Sequence, residues 1–277
     1  MLGDRHVGSG SRPVVVGVDD SAAGLAAARL AAAEAVLHRR SLRLLAADPE
    51  PAVGAIRDDH PALPIERETV PGDLADALVE RSRAAHLVVV ATGAAGIGSS
   101  PQVADPIGVR VAAHAGCPVI IDPAGRAALT GPVLLGIDEE AEEPTVVEYA
   151  FAEALVRGVP LCGVHIWAGL PGEALSTLDP FAYDARAADD DVDRLLAEAL
   201  AGWASRYPDV PVQRRAVHNP NTAHAMIELS TDAALMVVSA RRHAGLSGML
   251  LGSVTGALIG RARCPLAIVP ARCVWPG

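Results

Sequence analysis

Near its C-terminal end the chain runs from an apolar strand into Ser239-Ala240-Arg241-Arg242 and, after Gly245, into Gly252-Ser253-Val254-Thr255 at the head of a helical stretch. This order of residue types suits an oxyanion, phosphate above all. Glycine lets a ligand approach the backbone because no Cβ stands in the way, and the N–H groups at a helix start have no partner within the helix. The Ser253 and Thr255 hydroxyls add further donors. The same residues also make an ordinary serine cap on an ordinary helix, and residue types alone allow both readings.

Other reactive side chains are less well placed. His165 lies in a strand with no second His or Cys at ligand spacing, so a strand-end or core histidine is the expectation. His218 and His224 flank the turn Asn219-Pro220-Asn221 at a separation that fits no helical metal pair. Ser21, Ser99 and Ser100 lack the Gly-x-Ser-x-Gly elbow of serine nucleophiles. The acidic run Asp189-Asp190-Asp191 with Asp193 opens a helix, where carboxylates complement the dipole, so a solvated helix start is expected rather than a cation site. The chain has no lysine, which excludes a Walker-type phosphate lysine and Schiff-base chemistry. No catalytic residue and no metal ligand is assigned.

The elements that must position these residues come in two sets. Pro13-Val14-Val15-Val16-Gly17-Val18-Asp19 recurs as Pro132-Val133-Leu134-Leu135-Gly136-Ile137-Asp138, and Cys117-Pro118-Val119 recurs as Cys264-Pro265-Leu266. The offset is 119 positions at the start and 147 at the end, so the second copy carries 28 extra residues. Those extras include the amphipathic run Val192, Leu195, Leu196, Ala199, Leu200 and Trp203, whereas the corresponding 48–63 of the first copy is a short Pro-rich connector. One helix is therefore expected in the second copy and not in the first.

Each copy opens on a β-branched run, Val14 to Val18 or Val133 to Ile137, continuous enough for a parallel strand covered on both faces. Helices follow at Leu25 to Leu37 and Thr145 to Arg157, then strands at Leu42 to Ala46 and Leu161 to Ile166, and third strands at Ile65 to Val70 and Val212 to Val217. Helices at Leu74 to Ser82 and Ala223 to Ser230 lead to fourth strands, Leu87 to Ala91 and Leu235 to Ser239. Last helices at Ile107 to Ala115 and Val254 to Ala262 precede final strands at Val119 to Ile121 and Leu266 to Val269. Strands alternating with helices predict an α/β fold of two tandem doubly wound parallel-sheet domains, residues 1–126 and 127–277, with ligands at the strand C-termini.

Composition narrows the function classes. The 23 basic residues are all arginine and face 33 acidic ones, and a net charge of −10 argues against a sequence-independent grip on nucleic acid or anionic lipid. Cys117, Cys162, Cys264 and Cys273 lack CxxC spacing and are expected as small buried hydrophobes. No apolar run reaches the length of a bilayer span, and residues 1–12 hold no apolar core segment, so a soluble cytoplasmic protein is expected.

At this point the chain resembles the universal stress protein family in its tandem, Rossmann-like form. The resemblance rests on the strand ending in Gly-Val-Asp, the stretch Gly72-Asp73-Leu74-Ala75 through Leu87-Val88-Val89-Val90, the loop before Gly252, and the Cys-Pro-Val close. In ATP-binding members that loop reads Gly, two residues, Gly, nine residues, Gly, Ser. The resemblance assigns those four places to Ser239, Arg242, Gly252 and Ser253, of which the last two match. Arg242 is then either a side chain blocking the phosphate path or a guanidinium that pairs with phosphate.

By the same match Asp138 faces the adenine side and Ile166 closes the pocket, with Val254 and Thr255 completing the helix start. In the first copy the four loop places fall on Thr92, Ala95, Asp105 and Pro106, and none matches. Asp105 capping the helix would put negative charge where phosphate sits, and Gly93 and Gly96 are one residue out of register.

The resemblance thus implies a stress-response protein binding ATP or another adenine nucleotide in its second domain at most. It implies no enzymatic role, slow ATP hydrolysis aside. The alternative is a nucleotide-free interaction or structural member of the same family with both pockets decayed. It further implies intramolecular pairing of the two domains along Val119 to Ile121 and Leu266 to Val269. A homodimer is possible if the helix-poor first copy leaves a sheet face exposed, and a protein partner remains to be identified.

Overall fold

The structure, a computed structural model, describes residues 12–19, 21–91, 106–122, 130–138, 144–167, 185–240, 242–243, 250–271 and 273. The first half runs β1 (Val14–Gly17), α1 (Ala22–Leu37), β2 (Leu42–Ala46), α2 (Glu50–Asp59), β3 (Ile65–Thr69), α3 (Leu74–Ser82), β4 (Leu87–Ala91), α4 (Pro106–His114) and β5 (Val119–Asp122). The second runs β6 (Val133–Gly136), α5 (Pro144–Arg157), β7 (Leu161–Trp167), α6 (Ala185–Arg206), β8 (Val212–His218), α7 (Thr222–Leu229) and β9 (Leu235–Ser239). A two-stranded hairpin, β10 (Arg242–His243) and β11 (Leu250–Leu251), then precedes α8 (Ser253–Leu258) and β12 (Leu266–Val269).

Ten strands form one sheet in the order β3-β2-β1-β4-β5-β12-β9-β6-β7-β8. Within each half every pairing of this sheet is parallel. At the centre β12 runs antiparallel to β5, with Leu266 opposite Ile121, Ala267 opposite Ile120 and Ile268 opposite Val119. The central strands are buried on both faces, which their unbroken Val, Ile and Leu runs allow. One apolar layer carries Ala27, Ala31 and Ala35 of α1 together with Tyr149, Phe151 and Ala154 of α5. The other carries Leu78 of α3 and Ile227 of α7. Both layers draw on both halves, so the core is continuous across the junction.

Local chemistry sets the helix limits. Ser21 caps α1 by accepting from the Gly24 N–H at 3.0 Å, and Asp73 caps α3 by accepting from the Asp76 N–H at 3.0 Å. The chain leaves α1 and α5 alike through one left-handed residue, Arg39 at φ 54° and Gly158 at φ 65°. These two positions are 119 apart, the repeat offset itself.

Two expectations are corrected. The first copy does not lack the helix between its second and third strands: 50–59 is helical, with Ala52, Val53 and Ile56 buried. Pro49 stands at the N-cap and Pro51 in the first turn, where a missing N–H costs nothing. The 28 extra residues of the second copy thus accompany a longer helix, α6, which buries Leu196 and Leu200. The sheet face expected to lie bare is covered, and that argument for a homodimer falls. The last helix of the second copy also ends earlier than expected, at Leu258, because Ile259 turns extended and Gly260 adopts φ 78°.

The four cysteines are free and buried, and burial pushes the thiol of Cys264 up to about 12 and that of Cys273 up to about 11. Among the described residues no helix is long and apolar enough to cross a membrane.

Helix α2 provides a direct check on the correction. Ile56→Ala should lower the free energy of unfolding by about 2–4 kcal/mol in urea titrations, the loss expected for a side chain packed in a core. A loop would give a few tenths.

Candidate functional site

A cavity of about 260 Å³ opens at the C-terminal ends of β6, β7 and β9, the rim where a doubly wound sheet takes ligands. Asp138 follows β6, Ile166 lies near the end of β7 and Ser239 ends β9. Gly252, Ser253, Val254 and Thr255 face them from the head of α8. Seven of the eight residues singled out from sequence therefore line one cavity.

Arg242, the eighth, lies in β10, and its backbone pairs with Leu251, the residue before Gly252. Position 242 thus sits beside the glycine turn. Its side chain falls outside the described residues, as do Arg241 and Gly245.

Backbone hydrogen bonds fix the strand ends that carry the site. Ile137 N–H donates to the Val164 carbonyl at 2.8 Å and Ala240 N–H to the Val269 carbonyl at 2.8 Å, extending the parallel ladder past β6 and β9. His165, buried in β7, places Nδ1 2.8 Å from the Ile137 carbonyl. A carbonyl only accepts, so Nδ1 carries the proton. This is the structural role expected for His165, and it anchors the backbone one residue before Asp138.

Gly252 has φ −55° and ψ 151°, a conformation open to any residue, so the backbone angle does not demand glycine there. Gly252 has no side chain to cap the helix, and among the described residues no side chain accepts from the N–H groups that open α8. The two hydroxyls differ in role. Thr255 is buried and its Oγ1 donates to the Ser239 carbonyl at 3.4 Å, tying α8 to β9. Ser253 is exposed and faces the cavity. Most of the remaining wall is apolar: Ile137, Val164, Ile166, Met226 and Val238.

Thr222 and Met226 also line the cavity and were not anticipated. Both belong to α7, which starts at the C-terminal end of β8 and so on the same rim. The signal available was topological. Any helix following a strand of this sheet presents its first turns to the ligand edge.

At the matching rim of the first half lies a smaller hollow, about 180 Å³, lined by Val18, Asp19, Ala47, Val70, Gly72 and Leu74. Val18, Asp19 and Ala47 correspond at the repeat offset to Ile137, Asp138 and Ile166. Here the acidic residue serves its own turn. Oδ1 of Asp19 accepts from the Ser21 N–H at 3.2 Å and from the Ser21 hydroxyl. Pro106 is the first residue of α4, as its type foretells, while Thr92, Gly93, Ala95, Gly96, Ser99, Ser100 and Asp105 lie outside the described residues.

The side chains of Asp189, Asp190 and Asp191 lie outside the described residues, and the other candidates have structural partners. Ser21 is a helix cap, and His224 donates its backbone N–H to the Asn221 side chain at the start of α7. His218 packs on Trp167 with ring centroids 4.3 Å apart. Asp193 forms a two-pronged ion pair with Arg214 at 2.8 and 3.0 Å.

Comparison with known proteins places this arrangement among relatives. A family model described as "Universal stress protein family" matches residues 130–270, the half that holds the larger cavity. Universal stress protein Rv2623 of Mycobacterium tuberculosis is 32% identical over 296 residues, covering 94% of this chain and 97% of its own. Universal stress protein Rv2005c of the same organism is 36% identical over 222 residues, covering 78% of this chain and 71% of its own. The crystal structure of a universal stress protein from Archaeoglobus fulgidus DSM 4304 shares the fold at a TM-score of 0.61 and 15% identity, covering 94% of this chain and 97% of that one.

Because His165 holds the strand end that bears Asp138, His165→Leu should cost about 1–3 kcal/mol of stability by leaving the Ile137 carbonyl without its donor. Urea unfolding against the wild type measures it.

Proposed function

The chain belongs to the universal stress protein family, and on that premise we propose that it is a stress-response protein whose second half binds one adenine nucleotide, ATP or a close relative. The observation that carries this reading is the convergence of Asp138, Ile166, Ser239 and the Gly252–Thr255 turn on one cavity. In this arrangement the base lies toward Asp138 and Ile166, against the apolar wall of Val164, Met226 and Val238. The phosphates lie at the turn, where the N–H groups of Ser253 and Val254 and the Ser253 hydroxyl donate to oxygen. Arg242, held beside the turn by its pairing with Leu251, supplies a positive charge for the phosphates.

The nucleotide is held rather than turned over. Asp138 is the only titratable side chain among the described residues of the cavity, and it sits on the base side, away from a γ-phosphate. The first half carries no nucleotide, since its acidic residue is committed to Ser21 and its hollow is smaller. Four free, buried thiols fit a reducing compartment, and cytoplasmic action completes the reading.

Isothermal titration of the intact chain with ATP should give one site per chain. Gly252→Arg, which fills the turn, should weaken binding by at least about tenfold while leaving the melting temperature near that of the wild type. Absence of heat at millimolar ATP would overturn the nucleotide reading and leave the chain as an interaction member of its family.

A further inference from the structure

Where the two halves meet, the C-terminal ends of α1 and α5 bring together four ionisable side chains that the cavity does not use. Glu34 and His38 come from α1 and the turn after it, Glu153 and Arg157 from α5. His38 Nε2 lies 3.5 Å from Glu34 and 3.3 Å from Glu153. Arg157 lies 2.8 Å from Glu34 and 3.0 Å from Glu153. Each cation thus touches both carboxylates, one from its own half and one from the other. Side-chain exposure is 5% for His38, 4% for Glu34, 0% for Glu153 and 14% for Arg157, so little water is available to solvate these charges. Glu34 and Glu153, like His38 and Arg157, are 119 positions apart. The cluster is one i, i+4 glutamate–cation pair and its repeat, meeting across the junction.

Two buried carboxylates need two positive charges, because an uncompensated charge in such a place is costly. Arg157 is always charged; His38 is charged only when it holds a proton. We propose that these four residues form a proton-operated latch between the halves, in which protonated His38 closes the charge balance and its deprotonation loosens the packing of α1 on α5.

The surroundings of His38 define its working range. Facing it are Glu34 on α1, Glu153 on α5 and His86 at the start of β4, with ring centroids 4.8 Å apart, and Tyr149 and Arg157 of α5 face the two carboxylates. Arg40 and Arg12 lie close enough to act on His86. Burial alone pushes the His38 imidazole down, but Glu153 and Glu34 together outweigh burial and hold it at about 9. Burial, then the charge on His38, then Arg40 push His86 down to about 4, so of the two adjacent rings one carries the proton.

The signs follow from these directions. His38, raised above its unfolded value of 6.5, adds stability that is complete below pH 6.5 and lost as pH climbs through 9. His86, depressed and neutral, subtracts stability as pH falls from 6.5 through 4. The latch is tightest near pH 6.5.

A metal is the competing explanation, since the ligand atoms of Glu34, His38 and Glu153 lie within 4.8 Å of one another. Arg157 argues against it, because a divalent ion would have to displace a guanidinium that already bridges both carboxylates.

Imidazole resonances of the full-length protein, assigned with His38→Gln and His86→Gln, should show His38 titrating near pH 9 and His86 below pH 5. In parallel, the folding equilibrium constant in urea should fall on the order of tenfold between pH 6.5 and pH 8, below the range in which the thiols exposed by unfolding ionise. His38→Arg, which copies the repeat-related residue, should abolish that fall, as should the weaker His38→Gln. A wild-type His38 midpoint below pH 7, or a fall between pH 6.5 and pH 8 that survives His38→Gln, overturns the latch. So does stabilisation by zinc that EDTA reverses in the wild type and that is absent from His38→Gln.

Discussion

Each half of this chain ends in a buried apolar strand with a partner on one side only, and the antiparallel pairing of β5 with β12 supplies the other side to both. Left open, Val119 to Ile121 and Leu266 to Val269 would be templates for association. Joined, they turn two five-stranded sheets into one and move its edges outward to β3 and β8. Those edges tolerate water. β3 reads Ile-Glu-Arg-Glu-Thr and β8 Val-Gln-Arg-Arg-Ala-Val-His, and their charges pair on the surface through Arg43 with Glu66, Arg81 with Glu68 and Arg214 with Asp193. Charged edges of this kind resist addition of a further strand.

Antiparallel pairing also decides where the ligand rims lie. Strands are parallel within each half, so the two halves present their strand C-termini at opposite ends of the sheet, and the cavity behind Asp138 is remote from the hollow behind Asp19. The pairing further brings α1 and α5 together on one face, which places Glu34, His38, Glu153 and Arg157 against one another. Replacing such a cluster with apolar residues of like volume often raises stability, so its four charges are weak evidence for added strength.

Most strands were legible because their signals are local and dense. Leu42–Ala46, Leu87–Ala91, Leu235–Ser239 and Leu266–Val269 lie where their apolar runs end. Helix α2 was hidden because Pro49 and Pro51 suggest a connector and only Ala52, Val53 and Ile56 mark its buried face. Both prolines sit where a helix accepts them. Asp138 and Gly252 stood out because one follows a strand and the other opens a helix on the same rim. Thr222 and Met226 did not, since lining a wall asks only for modest size and a place on the right rim. The latch escaped because charges on a helix ordinarily face solvent. Yet applying the repeat offset to Glu34 and His38 lands on Glu153 and Arg157, a coincidence that alignment of the two copies exposes.

The two copies keep one architecture and differ at their strand C-termini. In the second, Ser239, Gly252 and Ser253 line a cavity; in the first, Asp19 is turned onto Ser21. A crystal structure of the full chain grown with a non-hydrolysable ATP analogue tests this asymmetry most directly. The account predicts one nucleotide per chain, its base beside Asp138 and Ile166 and its phosphates at the Gly252–Thr255 turn. A nucleotide beside Asp19, or an analogue bound anywhere other than the second-half cavity, would contradict it.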